Sequence, residues 1–173
     1  MNKFISRSEN ETLELGRKFA KILSGGFVIL LYGDLGTGKT VFVRGVCEAL
    51  NISGVRSPSF TLINEYSRES GITGGEGVRG NGFQGCPRDS NKKFFSVIHA
   101  DLYRLDENGA DSIGLEEFCG LDDFVVFIEW PERLKGIISD EIIKISFTAI
   151  NESEREIKFS AQGLKSEEAI SKL

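Results

Sequence analysis

The sequence contains nothing close to the roughly 20 consecutive apolar residues that an α-helix needs to cross a bilayer. Its longest apolar run, Phe27 to Tyr32, is far shorter. Cysteine is scarce: Cys47, Cys86 and Cys119 are dispersed, odd in number and never arranged as Cys-x-x-Cys. That spacing supports neither a zinc site nor a dithiol site and is what reduced thiols in a cytosolic protein look like. Positive charge is in deficit. Twenty-one Lys and Arg face 26 Asp and Glu, a net charge of -5 with a pI near 5.1, which argues against nucleic-acid binding by broad phosphate neutralisation. The opening Met1-Asn2-Lys3-Phe4-Ile5-Ser6-Arg7 lacks the apolar centre of a secretion signal. A soluble, cytoplasmic protein with no membrane partner is expected.

What is present fits one domain over residues 1–173. Ser8-Glu9-Asn10-Glu11 has the form of a capping box, and Leu15, Phe19, Ile22 and Leu23 follow at helical spacing. Gly25-Gly26 closes that helix. Phe27 to Tyr32 is a continuous apolar run, the pattern of a strand covered on both faces. A second helix is predicted from about Lys39 to Leu50, with Val43, Val46, Cys47 and Leu50 on one face. Strands are predicted at Phe60–Tyr66, Phe94–Ala100 and Val125–Ile128. Ile143, Ile145 and Phe147 alternate, as do Ile157, Phe159 and Ala161, and these two runs read as an antiparallel hairpin at the sheet edge. A short helix is expected over Ser166–Leu173. The class is α/β, with a largely parallel sheet flanked by helices, and Gly33-Asp34-Leu35-Gly36-Thr37-Gly38-Lys39-Thr40 between the first apolar strand and the second helix makes it a P-loop NTPase domain.

One stretch departs from this order. Seven glycines lie between Gly71 and Gly85 without apolar periodicity. Such a segment buries too little surface to offset its ordering entropy, so residues 68–93 are expected to form a flexible insertion. No Lys-Ser/Thr follows its glycines, so it does not read as a second phosphate loop.

Gly33-Asp34-Leu35-Gly36-Thr37-Gly38-Lys39-Thr40 follows the apolar strand and opens the second helix. Gly33, Gly36 and Gly38 permit the sharp turn and the close approach of several N–H groups to one anion. Lys39 supplies a cation for the β- and γ-phosphates, Thr40 a hydroxyl for Mg²⁺, and the helix its positive end. The chemistry also calls for a carboxylate at the end of a neighbouring strand. Glu129 ends Val125-Val126-Phe127-Ile128, and Asp101 ends Phe95-Ser96-Val97-Ile98-His99-Ala100. Either acid suits the role. His99, the single histidine, reads as a hydrogen-bonded structural residue before it reads as a base. Trp130 reads as packing before nucleotide stacking. No Asn-Lys-x-Asp motif selects guanine, so adenine is the default base and ATP with Mg²⁺ the expected ligand.

Together with Ser57-Pro58-Ser59-Phe60-Thr61-Leu62-Ile63-Asn64-Glu65-Tyr66, His99-Ala100-Asp101-Leu102-Tyr103-Arg104-Leu105, Gly114-Leu115-Glu116-Glu117-Phe118 and Ile128-Glu129-Trp130-Pro131-Glu132-Arg133, the loop resembles the TsaE (YjeE) family. These are bacterial ATPases needed for threonylcarbamoylation of the adenosine beside the anticodon. Ser59 and Ala100 depart mildly from the family pattern. The resemblance implies that Gly33 to Thr40 bind ATP and that Thr40 and Glu129 hold Mg²⁺. It implies that Lys39, Asp101 and Glu129 serve hydrolysis, and that Ser57 to Thr61 form a switch-type loop. Glu9 to Thr12, with Glu9 and Thr12 as the contacts, are expected to close over the adenine. TsaD and TsaB are the implied partners, and tRNA is engaged only indirectly. Hydrolysis is expected to be slow alone and stimulated by the pair. A P-loop small-molecule kinase and a nucleotide-dependent binding module with negligible turnover are the competing functions.

Overall fold

The computed structural model of the chain describes residues 2–59, 61–67, 71–73, 96–105, 114–134, 136 and 139–173. The elements run β1 (Asn2–Ser6), α1 (Glu9–Ala20), β2 (Val28–Tyr32), α2 (Lys39–Ala49), β3 (Ile63–Ser67), β4 (Gly71–Thr73), β5 (Ser96–Asp101), β6 (Phe124–Glu129), β7 (Ile142–Ala149), β8 (Arg155–Gln162) and α3 (Leu164–Ile170). Short 3₁₀ turns occupy Leu115–Glu117 and Pro131–Arg133.

All strands join one sheet of order β1-β8-β7-β2-β6-β5-β3-β4. Its centre is parallel, with β2 between β7 and β6 and β5 beyond β6. Both margins are antiparallel: β8 and β1 on one side, β3 and β4 on the other. The α/β class and the antiparallel β7–β8 hairpin are therefore present. Two features differ from expectation. β1 is an added edge strand, with Asn2 opposite Phe159 and Ser6 opposite Arg155. β3 runs against β5 because residues 51–62 carry the chain from the end of α2 back to the far end of β5, where Ser59 meets Asp101.

Period-two alternation distributes the core. Ile29 and Leu31 of β2, Phe127 of β6 and Ile143 and Ile145 of β7 pack with Phe19 of α1, Phe42 and Val46 of α2 and Ile170 of α3. Val28, Leu30, Ile98, Val126 and Ile128 pack on the other side with Leu102 and Leu115. All three helices therefore contribute to one face, while the other is covered by the segments after β5 and before β6. Helices α1 and α2 approach closely at two glycines. A Cβ on Gly16 would stand 2.3 Å from Phe42 O, and one on Gly45 would stand 2.1 Å from Leu13 O.

The Ser8 half of the capping box forms as read, while the Glu11 carboxylate reaches the N–H of Arg7 in place of that of Ser8. Ser8 accepts from Glu11 N–H at 3.1 Å, and the Glu11 carboxylate accepts from Arg7 N–H at 2.7 Å. The helix ends at Ala20, ahead of Gly25-Gly26. Within the stretch expected to be a flexible insertion, Gly71–Thr73 pairs with Ser67, Tyr66 and Glu65. The remainder of 68–93 lies outside the described residues, as do Phe60, Phe94 and Phe95 of the predicted strands. Among the described residues no helix is long and apolar enough to cross a membrane.

Candidate functional site

Three parallel strands end side by side and deliver the site. β2 runs into the glycine loop, β5 ends in Asp101 and β6 in Glu129. Asp101 is the register partner of Glu129, and Leu31 pairs with Glu129 from the other side. This is the carboxyl edge of the parallel strands, where α/β sheets place their ligands.

The loop takes left-handed backbone at Gly33 (φ 137°), Gly36 (φ 77°) and Gly38 (φ 102°), conformations that only glycine adopts without strain. Packing adds a second demand at Gly33, where a Cβ would stand 2.4 Å from Phe147 O. At Gly36 a Cβ would meet nothing within 4 Å, so the space beside it is open to a ligand. Leu35, at the tip, is exposed. Gly38 caps α2 without any side-chain hydrogen bond, leaving the first N–H groups of that helix to an anion.

Lys39 is buried, and its Nζ donates to Gly33 O at 2.6 Å and Asp34 O at 2.9 Å. The ammonium also lies 4.7 Å from the centre of the Trp130 ring. Burial pushes the Lys39 ammonium down, against the pull of Glu129, Asp101, Glu132 and Asp34. Trp130 itself has left-handed backbone (φ 58°) and packs on Tyr103 with ring centres 5.0 Å apart, in agreement with a packing role. Asp34 O also accepts the Thr37 hydroxyl at 2.8 Å.

The two predicted acids occupy different environments. Glu129 is buried, and its Oε1 accepts the Thr40 hydroxyl at 2.7 Å and faces His99 Nε2 at 3.0 Å. Burial alone would raise this carboxyl. The hydrogen bonds from His99 and Thr40 and the nearby Lys39 charge outweigh it and hold Glu129 below the ordinary carboxylate range. Asp101 Oδ2 accepts Ser59 Oγ at 2.5 Å and Ser57 Oγ at 3.3 Å, and its Oδ1 accepts Tyr103 N–H at 3.0 Å. The Ser57–Thr61 loop thus rests on Asp101. Among the described residues no group of three or more His, Cys, Asp or Glu is placed to hold a metal by itself. The Thr40 hydroxyl and Glu129 carboxylate suit a hard cation that takes its other ligands from phosphates and water.

Thr12 is fully buried beside the loop, its Cγ2 3.4 Å from where a Gly38 Cβ would stand. Glu9 instead pairs with Arg44 of α2 at 2.5 Å. Sequence reasoning missed three contributors. Arg155, at the start of β8, donates to Thr12 Oγ1 at 3.1 Å and lies next to Gly38. Tyr66 accepts Arg56 N–H at 3.2 Å and donates to Arg56 O at 3.1 Å, and Asn64 accepts the Thr61 hydroxyl at 2.7 Å. These two side chains of β3 brace the ends of the serine loop. Arg155 carries no local signal, since its partner is 143 positions away. Asn64 and Tyr66, two apart on one strand, shared a face that alternation alone would have shown.

Residues 6–75 and 83–157 match the family model described as threonylcarbamoyl adenosine biosynthesis protein TsaE. The chain is 32% identical over 161 residues to the tRNA threonylcarbamoyladenosine biosynthesis protein TsaE of Aquifex aeolicus, covering 91% of this chain and 95% of the relative. It is 36% identical over 138 residues to the protein of the same name from Nostoc sp., covering 78% and 70%. Its fold is similar to the crystal structure of Bacillus subtilis YdiB, with a TM-score of 0.69 and 27% identity over 99% of this chain and 92% of that one.

Proposed function

This chain belongs to the TsaE family of threonylcarbamoyl adenosine biosynthesis proteins, and on that premise we propose that it is a Mg²⁺-dependent ATPase acting in tRNA threonylcarbamoylation through TsaD and TsaB. The observation that carries the reading is the contact between Thr40, at the start of α2, and Glu129, at the end of β6, at 2.7 Å beside the Lys39 ammonium.

Each residue has a distinct part. The N–H groups from Gly36 to Thr40 cradle the phosphates, and Lys39 exchanges the carbonyls of Gly33 and Asp34 for phosphate oxygens. Thr12 and Arg155 border the loop on the side away from the acids and suit the nucleoside end. Thr40 and Glu129 would hold Mg²⁺, which supplies neutralisation of charge on the β- and γ-phosphates. Asp101 orients the attacking water once Ser57 and Ser59 turn from its Oδ2 toward the γ-phosphate. Hydrolysis removes that attraction and returns the hydroxyls to Asp101. The serine loop then presents a different surface to its partners, so partner affinity follows nucleotide state.

The test separates the acids. Calorimetric ATP binding, titrated with Mg²⁺, should weaken about tenfold or more in Glu129→Gln. Asp101→Asn should bind nearly as the parent and lose turnover. The reverse order would exchange the two roles, and Mg²⁺-independent binding in the parent would refute the site.

A further inference from the structure

Thr40 is not the only group that fixes Glu129. His99 is fully buried in β5, whose backbone is paired on one side to Phe127 of β6 and on the other to Asn64 of β3. The imidazole is therefore carried on the most rigid kind of support the fold offers. Glu129 stands at the very end of β6, one residue before the left-handed turn at Trp130, where an unrestrained carboxylate would sample several rotamers. His99 Nε2 lies 3.0 Å from Oε1, the same oxygen that accepts the Thr40 hydroxyl.

The proton on Nε2 follows from the surroundings. A carboxylate oxygen can only accept, so Nε2 carries a hydrogen. Nδ1 is buried and has no hydrogen-bond partner among the described residues. We propose that His99 is a positioning residue that donates this N–H to Glu129 Oε1 and holds the carboxylate against Thr40, in the geometry that Mg²⁺-dependent nucleotide binding needs. The proposal rests on the nucleotide-site reading above. It adds that the lone histidine acts through Glu129.

Two measurements test it. His99 is the chain's only histidine, so ¹⁵N NMR of the unliganded protein reports one imidazole without assignment. The expected spectrum has a protonated, slowly exchanging Nε2, and the Nε2 signal moves in Glu129→Gln. An Nε2 without a proton overturns the proposal without reference to any nucleotide. The second measurement compares two isosteres. The amide nitrogen of glutamine falls where Nε2 stands, and that of asparagine where Nδ1 stands. His99→Asn should lose about tenfold in Mg²⁺-dependent ATP affinity while His99→Gln stays within about threefold of the parent, the size expected when a supporting hydrogen bond to a metal ligand is removed or kept. ATP binding in EDTA should be the same in all three proteins. Equal loss in both variants, or none in either, shows that the ring only fills space. Should the parent itself bind no ATP with Mg²⁺, the nucleotide-site reading fails, and the NMR result alone decides the role of His99.

Discussion

At the residue scale, the site stores its charge against burial. Lys39, Glu129, Asp101 and His99 are all among the buried polar residues, and each makes at least one short polar contact. Glu129 gives this a measurable consequence. Its folded carboxyl lies below the ordinary value of 4.5 because His99, Thr40 and Lys39 outweigh desolvation. A carboxyl depressed on folding stabilises the native state above its unfolded value and loses that contribution as pH falls through its folded one, each tenfold in proton affinity being worth about 1.4 kcal/mol. Urea melts of the parent and of Glu129→Gln should therefore differ by a constant amount near neutrality, with the difference shrinking below about pH 4.5. Glu141, Glu156 and Glu168 are also depressed, but they are present in both proteins and cancel. A difference that is flat down to pH 3 would show that Glu129 is not held ionised by its neighbours.

At the element scale, α1 and α2 approach each other closely, and that approach depends on Gly16 and Gly45. Alanine in place of Gly45 gains about 1 kcal/mol of helix propensity. Against that, its Cβ would stand 2.1 Å from Leu13 O, a backbone atom that cannot move aside, and overpacking of this kind typically costs about 1–3 kcal/mol and sometimes more. The clash should win, with a net loss of about 2 kcal/mol and a Tm lower by on the order of 5 °C for a domain of this size. Gly136, whose Cβ would meet nothing within 4 Å, is the control, and Gly136→Ala should melt within about a degree of the parent. If Gly45→Ala matches Gly136→Ala, the helices are not in contact there. Elements also divide by how legible they were. β2, α2 and the loop between them could be read because apolar run, glycine spacing and helix start all lie within twenty residues. The capping box at Ser8 was equally local. β1 was missed since its five residues, half-exposed at the edge, show no strong alternation and owe their place to contacts distant in sequence, with β8 about 150 positions later and with Ile170. The direction of β3 was hidden for the same reason, being set by where residues 51–62 lead the chain.

At the scale of the whole molecule, charge argues against direct tRNA binding by broad phosphate neutralisation. The chain carries a net charge of -5, and basic side chains near the site are engaged: Arg44 with Glu9, Lys39 with its own loop, Arg155 with Thr12. Sequence could name Asp101 and Glu129 as alternatives but not rank them, because the difference lies in what long-range packing brings to each: a histidine and Thr40 to Glu129, two loop serines to Asp101. In the proposed mechanism, that division is what would link nucleotide state to the Ser57 and Ser59 hydroxyls and hence to partners. Alone, the protein should bind tRNA no better than the 10⁻⁴–10⁻⁶ M or so of non-specific association, with binding that falls as salt rises. ATP hydrolysis should be slow in isolation and faster when TsaD and TsaB are added together. The decisive measurement is threonylcarbamoyl transfer to tRNA by that pair over many turnovers, with and without this chain, and with Asp101→Asn in its place. Transfer should require the parent, and the Asp101 variant should bind ATP yet fail to sustain repeated cycles. Equal transfer in all three reactions, with an ATPase rate indifferent to the pair, would remove the switch role while leaving the nucleotide site to be judged by the Mg²⁺ titration of Glu129→Gln.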